Sequence, residues 1–217
     1  MSRVRKFSFY GLLIFYSVLT IVPFLWSLST SFKPSEEVYQ SNLIPEAATM
    51  KAYATVFGKI QPNFQTLFAN SLFIACVVVV LHLIFAALAG YAFARLNFPG
   101  RDVLFFVVLG CMMIPDQLRL VPMYQLLVNM GLINTGPTNY LAIFLIKAIS
   151  AADVFLMRQY FLTMPKEMED AAKIDGAGPF QLFWRVMLPN AAPVLATVAI
   201  LTFQGTWNDL FWPSIVL

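Results

Sequence analysis

A chain of 217 residues that is 59% hydrophobic and only 12% charged carries about half the charge of a soluble domain, which averages roughly 25%. One water-soluble core could not hide so much apolar surface, so the composition excludes an ordinary soluble fold and points to lipid as the solvent. The net charge of +3 is no argument for nucleic acid; what matters is where Lys and Arg fall relative to the apolar runs.

Residues 1–8 form a basic tail, Met1-Ser-Arg-Val-Arg-Lys6 ahead of Phe7 and Ser8. The apolar run that follows contains Pro23 and Trp26 and ends at Phe32. It is longer than the apolar core of a signal peptide and has no small-residue cleavage site, so residues 9–32 are read as a retained first transmembrane helix. Residues 33–67 are expected to be an extracytoplasmic segment, partly ordered by Pro34, Pro45, Pro62 and interleaved aromatics, with no domain of its own. Residues 68–217 form the expected transmembrane core.

Five stretches are long enough for the roughly 20-residue helix that crosses a hydrocarbon layer: Phe9–Ser29, Phe68–Ala94, Val103–Pro122, Tyr140–Gln159 and Ala191–Leu217. The third is interrupted by Gly110 and Pro115. None alternates as barrel strands do, so the expected fold class is an all-α integral membrane protein, a polytopic helical bundle. With the N-terminus inside, Arg3, Arg5, Lys6, Arg95, Arg101, Arg158, Lys166, Lys173 and Arg185 fall on the inner side, against Lys33, Lys51, Lys59 and Arg119 outside. That asymmetry predicts a cytoplasmic N-terminus. The sequence stops at Ser214-Ile-Val-Leu217 within apolar residues, and a further returning helix is expected in a longer version.

Cys76 and Cys111 lie inside apolar runs and read as small core hydrophobes. No phosphate-cradling Gly-x-x-x-x-Gly-Lys-Ser/Thr loop occurs, and no metal or cofactor site is expected; an ATP-driven process would need the nucleotide on another polypeptide.

The loop 160–190 is the most informative segment. Pro165, followed by Glu167 and Glu169, suits a helix start, and Met164, Met168, Ala171, Ala172 and Asp175 recur at helical spacing before Gly176 supplies a left-handed stop. After Gly178-Pro179, the residues Phe180, Phe183, Trp184 and Met187 mark a second amphipathic helix, expected to end before Pro189. Two short apolar-faced helices joined by glycines suit docking to a partner. Lys166, Lys173 and Arg185 are outnumbered by Glu167, Glu169, Asp170 and Asp175, the wrong balance for a DNA-binding helix-turn-helix. A plain loop packed on the membrane helices is the bland reading.

The order Asp170-Ala-Ala-x-x-Asp-Gly176, then Leu188-Pro189 and Pro193, resembles the EAA loop of binding-protein-dependent ABC importer permeases. Asn70-Ser71, Tyr91-Ala-Phe-Ala-Arg-Leu-Asn-Phe-Pro-Gly-Arg101, Met113-Ile-Pro115, Gly131-Leu-Ile-Asn-Thr135 and Trp207-Asn-Asp-Leu-Phe-Trp-Pro213 extend the likeness to the carbohydrate-uptake branch, whose second permease is of the maltose type. Asp170 stands where that family usually has Glu, and the family's final helix has no counterpart. The resemblance implies a permease of that bundle type, not itself an enzyme, working with a second permease subunit, a pair of ATPase subunits and an extracytoplasmic solute-binding protein. It further implies coupling to the ATPase through Asp170, Ala171, Ala172 and Gly176, with Phe180 and Phe183 in support. A sugar is the expected cargo; glycerol phosphate or a peptide, and a non-transporting membrane scaffold, are the alternatives. A membrane enzyme would need convergent catalytic groups, for which no spacing is visible.

Within the spans, a charge at Lys147 would cost about 2.5–3.5 kcal/mol at mid-bilayer, so it faces a watery path or a subunit contact, or snorkels outward. Asp153, on a different face from Lys147, reads as an interfacial charge. His82 reads as either a path-lining or a structural histidine. Trp207 and Asn208, with Asp209, form a polar-aromatic cluster that suits a sugar path or an interhelical hydrogen bond.

Overall fold

The computed structural model describes residues 3–133, 136 and 139–217, and they form helices and connecting turns with no strand among them. The chain divides into a first compact unit up to Ala69 and a second from Asn70 to Leu217.

In the first unit, α1 (Arg3–Thr30) carries its large apolar side chains from Phe7 to Leu28 outward, as a helix solvated by lipid does. The turn after it closes on Lys33. That side chain is buried, donates to the carbonyls of Gln40 and Asn42, and lies 4.9 Å from the centre of the Trp26 ring. Ser31 and Tyr53 share a 2.8 Å hydrogen bond, which ties the start of the segment to α2 (Lys51–Gly58). The segment is thus ordered by one buried cation whose donors are met by backbone oxygens.

The second unit is organised on the part of α3 (Phe64–Arg95) that runs from Asn70 onward. Thirty-two residues rise about 48 Å at 1.5 Å each, more than the roughly 30 Å of hydrocarbon. Ile74, Val78, His82, Ala86 and Gly90 recur every fourth residue on its buried face, with Ala75, Ala87 and Tyr91 beside them. The small residues of that stripe let α7 (Ala151–Thr163) approach. A Cβ added at Gly90 would lie 2.5 Å from the Met157 Cβ and 2.9 Å from the Arg158 amide nitrogen. Gly90→Ala is therefore expected to destabilise the protein by about 1–3 kcal/mol through overpacking. Gly110→Ala, with open space around it, is expected to be neutral; thermal denaturation of the two purified variants checks this.

Three expected spans are broken. The third does not run Val103–Pro122: α4 (Arg101–Cys111) and α5 (Asp116–Asn129) meet at 100°. Pro115 supplies no amide hydrogen and keeps Ile114 out of the helical region, while Pro122 sits inside α5 without ending it. The fourth is split between α6 (Asn139–Ile146) and α7 by a 46° bend. The fifth is interrupted between α10 (Ala192–Trp207) and α11 (Phe211–Val216), where the Asp209 carboxylate accepts the Phe211 amide at 2.8 Å. That local bond offers the backbone an alternative to continuing the helix.

Cys76 and Cys111 both face outward and are unpaired in disulfides, so they are not core residues; apolar runs in lipid present surface as well as interior. Asn134 and Thr135 lie outside the described residues.

Buried apolar residues gather in two clusters. One joins α3, α7, α8 (Glu167–Ile174), α9 (Pro179–Asn190) and α10, with Met157, Phe161, Met187, Ala191 and Val198 fully enclosed. The other joins the opposite half of α3 to α5, α6 and α11 around Val78, Leu127, Ile143 and Trp212.

Candidate functional site

Polar groups on three spans meet where helices α6–α7 and α10–α11 are interrupted. The first interruption frees the carbonyl of Lys147, which accepts a 2.7 Å bond from His82 Nε2. The other ring nitrogen, Nδ1, lies 2.6 Å from Asp153 Oδ2, a separation that holds a proton between the two atoms. Thr202 Oγ1 stands 3.2 Å from Nδ1 and 3.4 Å from the same carboxylate oxygen. His82, Asp153 and Thr202 are all buried. Asp153 is thus an interior group fastening α7 to α3 and α10, not an interfacial charge: the i, i+1, i+4 faces of α7 that carry Asp153, Val154 and Met157 turn inward together. His82 is enclosed, with both ring nitrogens engaged.

The Lys147 ammonium reaches across to Asp209 Oδ2 at 2.7 Å, both side chains mostly enclosed. This pair bridges the two helix interruptions and meets the cost of each charge in lipid with the other. Lys147 thus pairs with Asp209, and Asp153 with His82. Asn208 uses its amide to bond the Gln204 carbonyl at 2.9 Å, and Trp207 stacks on Phe203 with ring centres 5.6 Å apart. Of the four proposed path residues, Trp207 and Asn208 are exposed, Lys147 is partly so, and His82 is enclosed.

The second constellation is the hairpin. Helix α8 starts with Glu167, Glu169 and Asp170 in its first turn and Lys173 in its last, matching the polarity of the helix ends. Gly176 adopts φ +81, a conformation that costs an L-residue roughly 1–2 kcal/mol, and turns the chain into α9. This second helix does not stop before Pro189 but runs to Asn190. Residues Leu182–Met187 form a π-helical turn, whose wider bonding pattern absorbs a proline that an α-helix would reject.

The expected docking residues divide by helix phase. Ala172 and Phe183 are buried; Phe183 packs 5.0 Å from the Tyr91 ring of α3. Asp170, Ala171 and Gly176 are exposed, and Phe180 is 80% exposed, with Ile174 beyond it at 87%. The carboxylate that turns inward is the neighbouring Glu169, which pairs with Arg95 at 3.0 Å. Arg95 also donates to the carbonyls of Phe161 and Met164 at the end of α7. The sequence marks Arg95 as an inner-side charge and Glu169 as a helix-start acid, but no spacing pairs them. A lone Arg closing a 32-residue span was the available signal.

Residues 83–217 match the family described as the binding-protein-dependent transport system inner membrane component. The chain is 36% identical to the arabinooligosaccharides transport system permease protein AraQ of Halalkalibacterium halodurans, over 94% of this chain and 72% of that one. It is 35% identical to the diacetylchitobiose uptake system permease protein NgcG of Streptomyces coelicolor, over 98% and 70%. The trehalose transport system permease protein SugB of Mycobacterium tuberculosis is 36% identical over 88% and 68%. Among solved structures, a bacterial ABC transporter involved in the import of the acidic polysaccharide alginate superposes with a TM-score of 0.86 at 29% identity, covering 100% of this chain and 76% of its own. A polytopic apolar bundle bearing a glycine-turned hairpin therefore has its relatives among transport permeases, and the chain belongs to the family of inner membrane components of binding-protein-dependent transport systems.

Proposed function

We propose that this chain lines the path of a sugar or oligosaccharide through the inner membrane, with its N-terminus in the cytoplasm. It works with a second permease subunit and receives solute from an extracytoplasmic binding protein. A separate pair of ATPase subunits docks on the hairpin 164–189 through Asp170, Ala171, Gly176 and Phe180. Phe183 supports the hairpin from within. The observation that carries this reading is the outward apolar surface of Ile174 and Phe180 on a hairpin anchored to the ends of α3 and α7. Large apolar side chains held in water mark a place where another protein sits. The saccharides in the names of the relatives and the structural neighbour support a carbohydrate cargo; nothing in them favours glycerol phosphate or a peptide. The Lys147–Asp209 pair, beside exposed Trp207 and Asn208, is the proposed polar stretch of the path.

Co-purification with the products of neighbouring genes, followed by ATP turnover measured with arabinooligosaccharides, trehalose and diacetylchitobiose, tests the reading. Stimulation by a saccharide is expected; a complex that forms but responds to none of a broad sugar panel contradicts the cargo. The two phenylalanines give a sharper check on docking. Phe180→Ser is expected to weaken capture of the ATPase about tenfold, the loss of one exposed anchor, without lowering the denaturation temperature. Phe183→Ser is expected to lower that temperature, because it empties a buried site.

A further inference from the structure

We infer that Arg95 is the positioning residue that makes the hairpin and the ends of α3 and α7 move as one body. The inference rests on the importer reading above and adds to it the joint through which force would pass. Arg95 is the last residue of α3, and its side chain is 6% exposed. Its guanidinium donates to two carbonyls at the end of α7 and faces one carboxylate of α8. Nε lies 3.0 Å from Glu169 Oε1 of α8, and Nε and Nη2 reach the Phe161 carbonyl at 3.1 and 2.6 Å. Nη2 also donates to the Met164 carbonyl. Both carbonyls lie where α7 ends, the Phe161 carbonyl also taking the Met164 cap amide at 3.3 Å, and the helix carries its negative pole there.

The chemistry of the joint requires this residue type. A planar fork of donors can hold two carbonyls at fixed angles while its spread charge faces a carboxylate, whereas a lysine ammonium is a single point on a flexible stem. Glu169 is 11% exposed on its side chain, and its other oxygen lies 4.0 Å from the exposed Lys173 ammonium, a contact too open to hold it. One turn before Arg95, Tyr91 packs against Phe161 at 5.7 Å and Phe183 at 5.0 Å, so an apolar contact runs alongside the ionic one. The apolar contact resists compression of the hairpin against the spans; the ionic contact resists its withdrawal. A movement imposed on the outer face of the hairpin is thereby passed to both spans.

The test compares Glu169→Gln and Arg95→Lys with the wild type in the reconstituted importer, using the saccharide of the panel that stimulates the wild type most. Stimulated and basal ATP turnover are read at equal subunit stoichiometry. The ratio of the two is expected to fall about tenfold in both variants, within the range of coupling between distant sites. Arg101→Gln, which removes the half-buried arginine that opens α4 and pairs with Asp102, is expected to keep the ratio. A purely structural role would lower stimulated and basal turnover in parallel, together with the yield of assembled complex, and that result overturns the inference. So does an unchanged ratio in both variants, or an equal fall in Arg101→Gln. A wild-type complex that no saccharide stimulates would instead fail the importer reading itself.

Discussion

Replacing Gly176 by proline should abolish saccharide-stimulated ATP turnover while leaving the chain in the membrane at normal levels. Gly176 sits at φ +81, and proline is locked near −65°, so the turn between α8 and α9 cannot form. The amide of Gly176 also donates to the Lys173 carbonyl at 3.0 Å, closing the end of α8, and proline removes that donor. The loss is local. The spans α3, α7 and α10 keep their own contacts around Met157 and Val198, so insertion does not depend on this turn. Gly176→Ala is the graded case: nothing lies within 4 Å of an added Cβ, so only the left-handed backbone is penalised, at roughly 1–2 kcal/mol. Turnover should then be reduced rather than lost. Full stimulation in the proline variant would remove the hairpin from the coupling mechanism.

The second large effect is expected at Lys147. Lys147→Met leaves the Asp209 carboxylate enclosed without its counter-charge, and stranding one member of a buried pair costs about 3–5 kcal/mol. Loss of transport in that variant alone would not separate a path residue from a structural one. The double variant Lys147→Met/Asp209→Leu does separate them, because it removes both charges together and should recover most of the stability. If the pair lines the solute's path, uptake by the stable double variant stays low. Uptake at the wild-type rate would reduce the pair to a clamp between two helix interruptions. Denaturation temperature and initial uptake rate, measured on the same proteoliposomes, give both answers.

Much of the architecture was legible because lipid imposes a simple rule: each span must be apolar and must satisfy its own backbone. The runs that became α1 and α3 could be read directly. The interruptions at Lys147–Ser150 and Asn208–Leu210 could not, since neither contains proline or glycine. The first is held open by a bond from His82, sixty-five residues away, and no local pattern announces such a partner. Pro189 misled for the opposite reason: its breaking effect is absorbed by the π-helical turn before it. In the hairpin the motif named residues but not the directions in which they point. Glu169 and Asp170 are adjacent carboxylates, and which one turns inward depends on the phase of α8 against Arg95. The same phase encloses Phe183 and exposes Phe180.

Sidedness of the hairpin is the most direct test of the whole account. Ile174, at 87% exposed, can be replaced by cysteine in a background where Cys76 and Cys111 are serine. A membrane-impermeant thiol reagent is then applied to intact cells and to inverted vesicles. The account predicts labelling in inverted vesicles only, and protection when the ATPase subunits are bound. Labelling from the outside of intact cells would put the hairpin beyond reach of any cytoplasmic motor and contradict it.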